Sequence, residues 1–225
     1  MKRILAAIIA AALLLSGCTS ASRPAESAPP TGTLSPSPTP IVTPTPAPEP
    51  SDDELVLVRD YIPGIFIDLK YATTDNFTGR VIYDSDEAYL RYGTVKKLLC
   101  AQNELSGRGL SLKIWDAYRP VSAQFKLWEI CPNPVYVSDP NNGYSKHSRA
   151  NTVDITLVTD TGKSIPMPSG FDDFTSLADR DYSDVSAEAA ENARLLENVM
   201  VENGFVPYSG EWWHYSDSVA YDVYG

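Results

Sequence analysis

Two histidines occur in the 225 residues of this chain, and each has a carboxylate close by in sequence. In SKHSRANTVDITL, His147 lies seven residues before Asp154. In GEWWHYSD, Glu211 lies three residues before His214. Neutral imidazole and carboxylate both bind zinc, at about 2.0 to 2.2 Å. Three such ligands leave a fourth position for water, the arrangement of a catalytic rather than a closed structural centre. With no third imidazole in the chain, a shared centre has to draw on both segments. Residue chemistry alone leaves the bland alternative open, in which each histidine is a satisfied structural side chain.

The elements around these residues must bring them together. TVDITLVT (152–159) is β-branched and reads as a central strand, so His147 has to return to Asp154 from the loop before it. The offset of three between Glu211 and His214 is odd, which places them on opposite faces of a regular strand. If both serve one centre, a bulge or turn must interrupt residues 211–214. LVLVRDYIPGIFIDLKYAT (55–73) reads as one or two strands broken at Pro63-Gly64. A helix is expected from about Asp86 to Leu105, on the spacing of Leu90, Val95, Leu98 and Leu99, stopping near Gly107 and Gly109. SLKIW (111–115) is a short strand, DAYRP a turn, and Pro120 opens a helix to about Glu129. A further helix spans 186–203, capped by Ser186 and stopped at Gly204. FVPY then leads into the EWWHY strand. Without regular β-α-β alternation, the pattern implies an α+β fold: one domain, a central antiparallel sheet, flanking helices.

The first fifty residues have a different character. KRILAAIIAAALLLSG (2–17) has the basic start and short apolar core of an export signal. Leu15-Ser16-Gly17-Cys18 resembles the bacterial lipobox, which implies cleavage before Cys18 and lipidation of that cysteine. More than half of the chain's 18 prolines lie between Thr19 and Pro50. Such a stretch has too little apolar surface to offset the entropy of ordering, so residues 18–51 read as a disordered tether. The expected organisation is a signal over 1–17, a lipidated tether over 18–51 and a folded domain over 52–225. That places the domain outside the cytoplasm, held to the membrane through its lipid anchor only. A net charge of −11 argues against nucleic acid and suits a small substrate or one bearing an ammonium group. Cys100 and Cys131 remain, as a disulfide or as two free thiols.

Several motifs in order make the chain resemble a known family. Ser145, His147 and Asp154 form S-x-H-x(6)-D, and Glu211 and His214 form E-x-x-H about sixty residues later. With DLKYATTDNFTGR (68–80) and WDAYRP (115–120), they are similar to the zinc D-alanyl-D-alanine peptidases, and most of all to the dipeptidases of the VanX type. The likeness runs from about residue 60 to 220 and implies the zinc peptidase and hedgehog-like fold. It implies one zinc ion per chain on His147, Asp154 and His214, with Glu211 as general base, an assistance worth about 10²- to 10⁴-fold. It implies that Arg119 stabilises the oxyanion, where losing one donor costs roughly 3 to 4 kcal/mol. Tyr71, Asp172 and Asp154 would hold the substrate's ammonium, with Asp173 an adjacent competitor, and Ser145 would lie near the other end. The family usually has Gly where this chain has Ala150, which matters if that position needs a positive φ. Thr152 replaces a later Ala, and the segment 128–144 is short, which bears on the pocket rim. The implied activity is hydrolysis of D-alanyl-D-alanine to two D-alanines, for cell-wall turnover or salvage at the surface. Alternatives are a D,D-carboxypeptidase trimming peptidoglycan stem peptides and a non-catalytic zinc-containing binding module.

Overall fold

Apolar and β-branched runs become strands, and runs with helical spacing become helices that cover them. A computed structural model describes residues 48–225; the expected signal, Cys18 and most of the tether lie outside the described residues. The elements run β1 (Leu55–Leu57), α1 (Val58–Tyr61), β2 (Phe66–Ile67), β3 (Tyr89–Arg91), α2 (Tyr92–Ser106), β4 (Leu110–Asp116), α3 (Val121–Ile130), β5 (Thr152–Thr159), α4 (Ala187–Glu202), β6 (Phe205–Tyr208) and β7 (Glu211–Asp217). Short 3₁₀ turns occupy Lys70–Ala72, Lys146–Arg149 and Ser176–Ala178. No helix among the described residues is long and apolar enough to cross a membrane.

Five strands form the main sheet in the order β2-β4-β5-β7-β6, which puts β5 at its centre. Every pair in it is antiparallel except β2–β4, a two-residue parallel contact at one edge. β1 and β3 form a separate two-stranded ladder. Alternation along β5 sends Val153, Ile155 and Leu157 into the core, which also takes in Leu98 and Leu105 of α2 and Leu196 and Met200 of α4. Asp154 is thereby turned to the opposite face. Trp212 and Trp213 are both buried.

Two expected elements differ. The helix anticipated from Asp86 begins only at Tyr92, because Tyr89–Arg91 pairs with β1 instead. Leu90 is fully buried in that ladder opposite Val56, so tertiary pairing overrides a local helical spacing. The stretch 55–73 yields two strands, both shorter than its alternation suggested, with a helical turn between them. α4 matches its forecast: Ser186 Oγ accepts from the Ala189 amide at 3.2 Å, and Gly204 follows with φ +85°. Cys100 and Cys131 are free thiols.

Ala150 ends the 3₁₀ turn that carries His147, at φ 57° and ψ 27°. A Cβ in that left-handed region costs about 1 to 2 kcal/mol, part of which glycine would return as unfolded-chain entropy. Ala150→Gly is therefore expected to stabilise the domain by about 0.5 to 1 kcal/mol, read as a higher urea midpoint at unchanged m-value. A lower midpoint would show that the alanine methyl contributes more packing than its backbone costs.

Candidate active site

The sheet register builds the site. Asp116 of β4 pairs with Asp154 of β5, and Asp154 pairs with His214 of β7, so one row crosses three strands. Directly opposed residues of an antiparallel ladder share a face, which brings the His214 Nδ1 to 2.9 Å from Asp154 Oδ1. His147 arrives from the 3₁₀ turn before β5. Ser145 caps that turn by accepting from the His147 amide at 3.3 Å. The His147 carbonyl accepts from the Arg119 and Ala150 amides. Its Nδ1 donates to the Ala117 carbonyl at 2.8 Å, which leaves the Nε2 lone pair facing Asp154 Oδ2 at 3.3 Å.

These three residues fit a divalent cation. One donor atom from each of His147, Asp154 and His214 lies within 4.8 Å of the other two, and all three residues are buried. Two imidazole nitrogens and one carboxylate oxygen suit zinc and its neighbours. The backbone carbonyl on the far nitrogen of His147 is the outer contact that commonly fixes a ligand's tautomer. Charge follows the same geometry. Burial works to raise the pKa of Asp154, but the two imidazoles outweigh it and hold the carboxyl below its ordinary range. Burial works to lower that of His147, and the carboxylates of Asp154 and Asp116 raise it instead. A dication amid these groups replaces the proton that such a cluster otherwise attracts.

The odd spacing of Glu211 and His214 resolves as a slip in the ladder. Pro207 pairs with Tyr215, but the next residue, Tyr208, pairs with Glu211, so residues 212–214 have no counterpart on β6. This bulge brings Glu211 Oε2 to 3.4 Å from His214 Nδ1. The carboxylate is ringed by protein yet opens to a cavity, with 36 % of its side chain exposed. Burial, then the charge of Asp154, raises its pKa. The cavity measures about 220 Å³ and is lined by Val135, Tyr136, Ser145, Lys146, Glu211 and His214 among others. The short segment 128–144 thus supplies its rim.

Arg119 is held from several sides. Nη2 and Nε donate to Asp116 Oδ2 at 2.5 and 3.2 Å, and Nη1 donates to Gln124 Oε1 at 2.9 Å. Tyr83 donates to the other oxygen of Asp116 at 2.5 Å. The guanidinium lies 4.9 Å from the centre of the Tyr71 ring, while its own backbone amide bonds the His147 carbonyl. Arg119 therefore joins the histidine cluster to a second group. In that group Tyr71 donates to Asp172 Oδ2 at 2.8 Å. Asp173, the adjacent candidate, instead closes its own turn by accepting from the Thr175 amide and hydroxyl. Asp172 sits at φ 53°, a strained value for a non-glycine residue that is common at binding sites. Burial pushes its pKa to about 7, against the pull of the Tyr71 hydrogen bond.

Asp116, Tyr83, Gln124 and Lys146 escaped the sequence reading. Asp116 had one signal, an acid three residues before Arg119 in WDAYRP. The others had none, because their partners are brought in by the fold.

Comparison with known proteins supplies the family. Residues 51–222 match the Peptidase_M15 family, described as D-ala-D-ala dipeptidase. A D-alanyl-D-alanine dipeptidase of Escherichia coli (strain K12) is 39% identical over 162 residues, spanning 72% of this chain and 83% of that protein. Proteins of the same name from Enterococcus faecium and Enterococcus faecalis (strain ATCC 700802 / V583) are 35% and 34% identical over 176 and 185 residues. Those matches span 69% and 73% of this chain, and 87% and 91% of the relatives. The matched stretch encloses the whole site from Tyr71 to His214, and on that breadth of agreement this chain belongs to the Peptidase_M15 family of D-alanyl-D-alanine dipeptidases.

Proposed function

We propose that the protein hydrolyses D-alanyl-D-alanine to two D-alanines with one zinc ion per chain, held by His147, Asp154 and His214. The observation that carries the reading is the convergence of those three donors beside a carboxylate, Glu211, that opens to a small cavity. Bound there, zinc would supply Lewis acidity and make water a stronger acid near neutral pH. Glu211 Oε2 takes the proton of the attacking water and returns it to the nitrogen of the leaving amine. Arg119, fixed by Asp116 and Gln124, faces the charge that develops on the carbonyl oxygen. Asp172, set by Tyr71, pairs with the free ammonium. Lys146 and Ser145, both on the cavity wall, offer a cation and a hydroxyl to the carboxylate at the other end. A substrate gripped at both ends has to be short, which favours the dipeptide over a stem peptide.

The export signal, Cys18 lipidation and tether support a placement outside the cytoplasm, with turnover or salvage of wall-derived dipeptide as the role. An enzyme so placed has no access to cytoplasmic dipeptide. The deciding experiment is a hydrolysis panel on the purified protein: D-Ala-D-Ala and N-acetyl-D-Ala-D-Ala, each with chelator and after re-addition of zinc, cobalt or manganese. The expected result is rapid cleavage of the free dipeptide only, abolished by chelator and restored best by zinc. Preferential cleavage of the acylated substrate would instead identify a D,D-carboxypeptidase, and hydrolysis indifferent to chelator would exclude the metal.

A further inference from the structure

The slip between β6 and β7 lets Glu211 and His214 share a side, and it leaves residues 212–214 without partners on β6. One side chain crosses it. Arg180, from the stretch between β5 and α4, donates from Nε to the Tyr208 carbonyl at 2.7 Å and from Nη2 to the His214 carbonyl at 3.1 Å. Tyr208 is the residue paired with Glu211, so the two carbonyls bracket the slip. The third nitrogen, Nη1, donates to Glu197 Oε2 on α4 at 3.0 Å and to the Tyr215 hydroxyl at 3.1 Å. The guanidinium also lies 4.6 Å from the centre of the Tyr215 ring. Its side chain is only 11 % exposed.

We infer that Arg180 is a positioning residue, which acts through the backbone of β7 to set where the His214 imidazole and the Glu211 carboxylate stand relative to each other. A planar fork with five donors can bond two carbonyls and a carboxylate at once. A lysine ammonium in its place reaches one of them. Without the fork, residues 212–214, which have no counterpart on β6, lose their side-chain tie to its end, and displacements of about 1 Å at reacting groups cost about 10²-fold. Arg180 touches neither the cavity residues that grip the substrate's carboxylate nor Tyr71 and Asp172, so its removal should leave substrate binding near that of the parent.

The inference rests on the metal-centre reading above, and its test separates the two. Full-length parent, Arg180→Lys and Arg180→Ala proteins are stripped of metal and titrated with zinc against a chromophoric chelator; the melting of the metal-free forms and the kinetics of the loaded ones are followed in parallel. Both variants are expected to bind zinc about 10- to 100-fold more weakly, as losses of outer contacts to metal ligands typically do. Their kcat falls while KM stays near the parent's. Millimolar guanidinium restores part of the zinc affinity and kcat of Arg180→Ala but not of Arg180→Lys. If Arg180→Ala does not fold, Arg180→Lys and the milder Glu197→Gln, which removes the carboxylate charge that anchors the guanidinium on α4, carry the test with smaller losses. Folded variants with parental zinc affinity and kcat overturn the inference, and a lower melting temperature alone would make Arg180 a structural cross-link only. A parent that binds no zinc overturns the metal centre and this inference with it.

Discussion

Glu211→Gln protein is expected to load zinc as the parent does and to turn over D-Ala-D-Ala about 10²- to 10⁴-fold more slowly, the usual loss when a general base is removed. Glutamine keeps the length of the side chain, its place against His214 and its exposure to the cavity. What it loses is the ability to take a proton. The geometry makes the effect selective. Glu211 Oε2 stands 3.4 Å from His214 Nδ1, close enough to serve the same reacting centre without being one of the three clustered donors. Its carboxyl has a raised pKa, from burial first and the Asp154 charge second, and a more basic carboxylate is the better proton acceptor. The measurements are zinc content by elemental analysis and kcat at saturating dipeptide. A zinc-loaded Glu211→Gln protein with parental kcat would remove Glu211 from the mechanism, and loss of zinc would make it a ligand.

Asp172→Asn should cost about 3 kcal/mol in kcat/KM for D-Ala-D-Ala, roughly 10²-fold, because a substrate ammonium buried without its anion is left unpaired. The same change should narrow the discrimination against N-acetyl-D-Ala-D-Ala, which has no ammonium to place. A pH profile gives an independent signature. Burial raises the Asp172 pKa to about 7, so below that pH the free protein carries a proton that an ammonium-bearing substrate must expel. KM for the dipeptide is therefore expected to fall as pH rises from about 5 towards 7 and then to level off. A dication on Asp154 cancels part of that aspartate's push, which moves the inflection to the acid side of 7. The stability linkage has a defined sign. A carboxyl with a raised folded pKa contributes most below its unfolded value of 3.8, and that contribution is lost as pH climbs through about 7. Asp172→Asn should flatten both profiles. A KM that ignores pH in the parent would place the ammonium elsewhere.

The cluster of His147, Asp154 and His214 was legible because its chemistry is local. A histidine and an aspartate flanking the start of a β-branched strand, and an acid and a histidine at an odd offset, each pose a problem that only a few backbones solve. Period two forbids Glu211 and His214 from sharing a face, so the bulge could be forecast before any coordinates. The strand 152–159 and the helix after Ser186 were equally readable, since burial pattern and capping agree there. Tyr89–Arg91 was not, because its helical spacing lost to pairing with β1, and long-range pairing leaves no local trace. Arg119 reads in isolation as a surface arginine before a proline, and only its resemblance to a known motif singled it out. Arg180 had no signal at all. Its value comes from two carbonyls that the ladder slip brings within reach, and a backbone carbonyl carries no residue type.

The small β1–β3 ladder has a mechanical consequence. The chain enters the described domain at β1, which is hydrogen-bonded to β3 and belongs to a different sheet from the site. Beside it, Arg91 donates to the Asp53 carbonyl near the entry and to the Asp222 carbonyl near the exit. A pull on the amino-terminal end is therefore taken up first by the bonds of residues 49–57 to β3, Arg91 and the start of α2, including the Gly93 and Tyr92 amides on the Asp52 and Glu54 carbonyls, before any strand of the five-stranded sheet feels it. Under tension the domain should yield by peeling β1 away, with the row Asp116, Asp154 and His214 still in register.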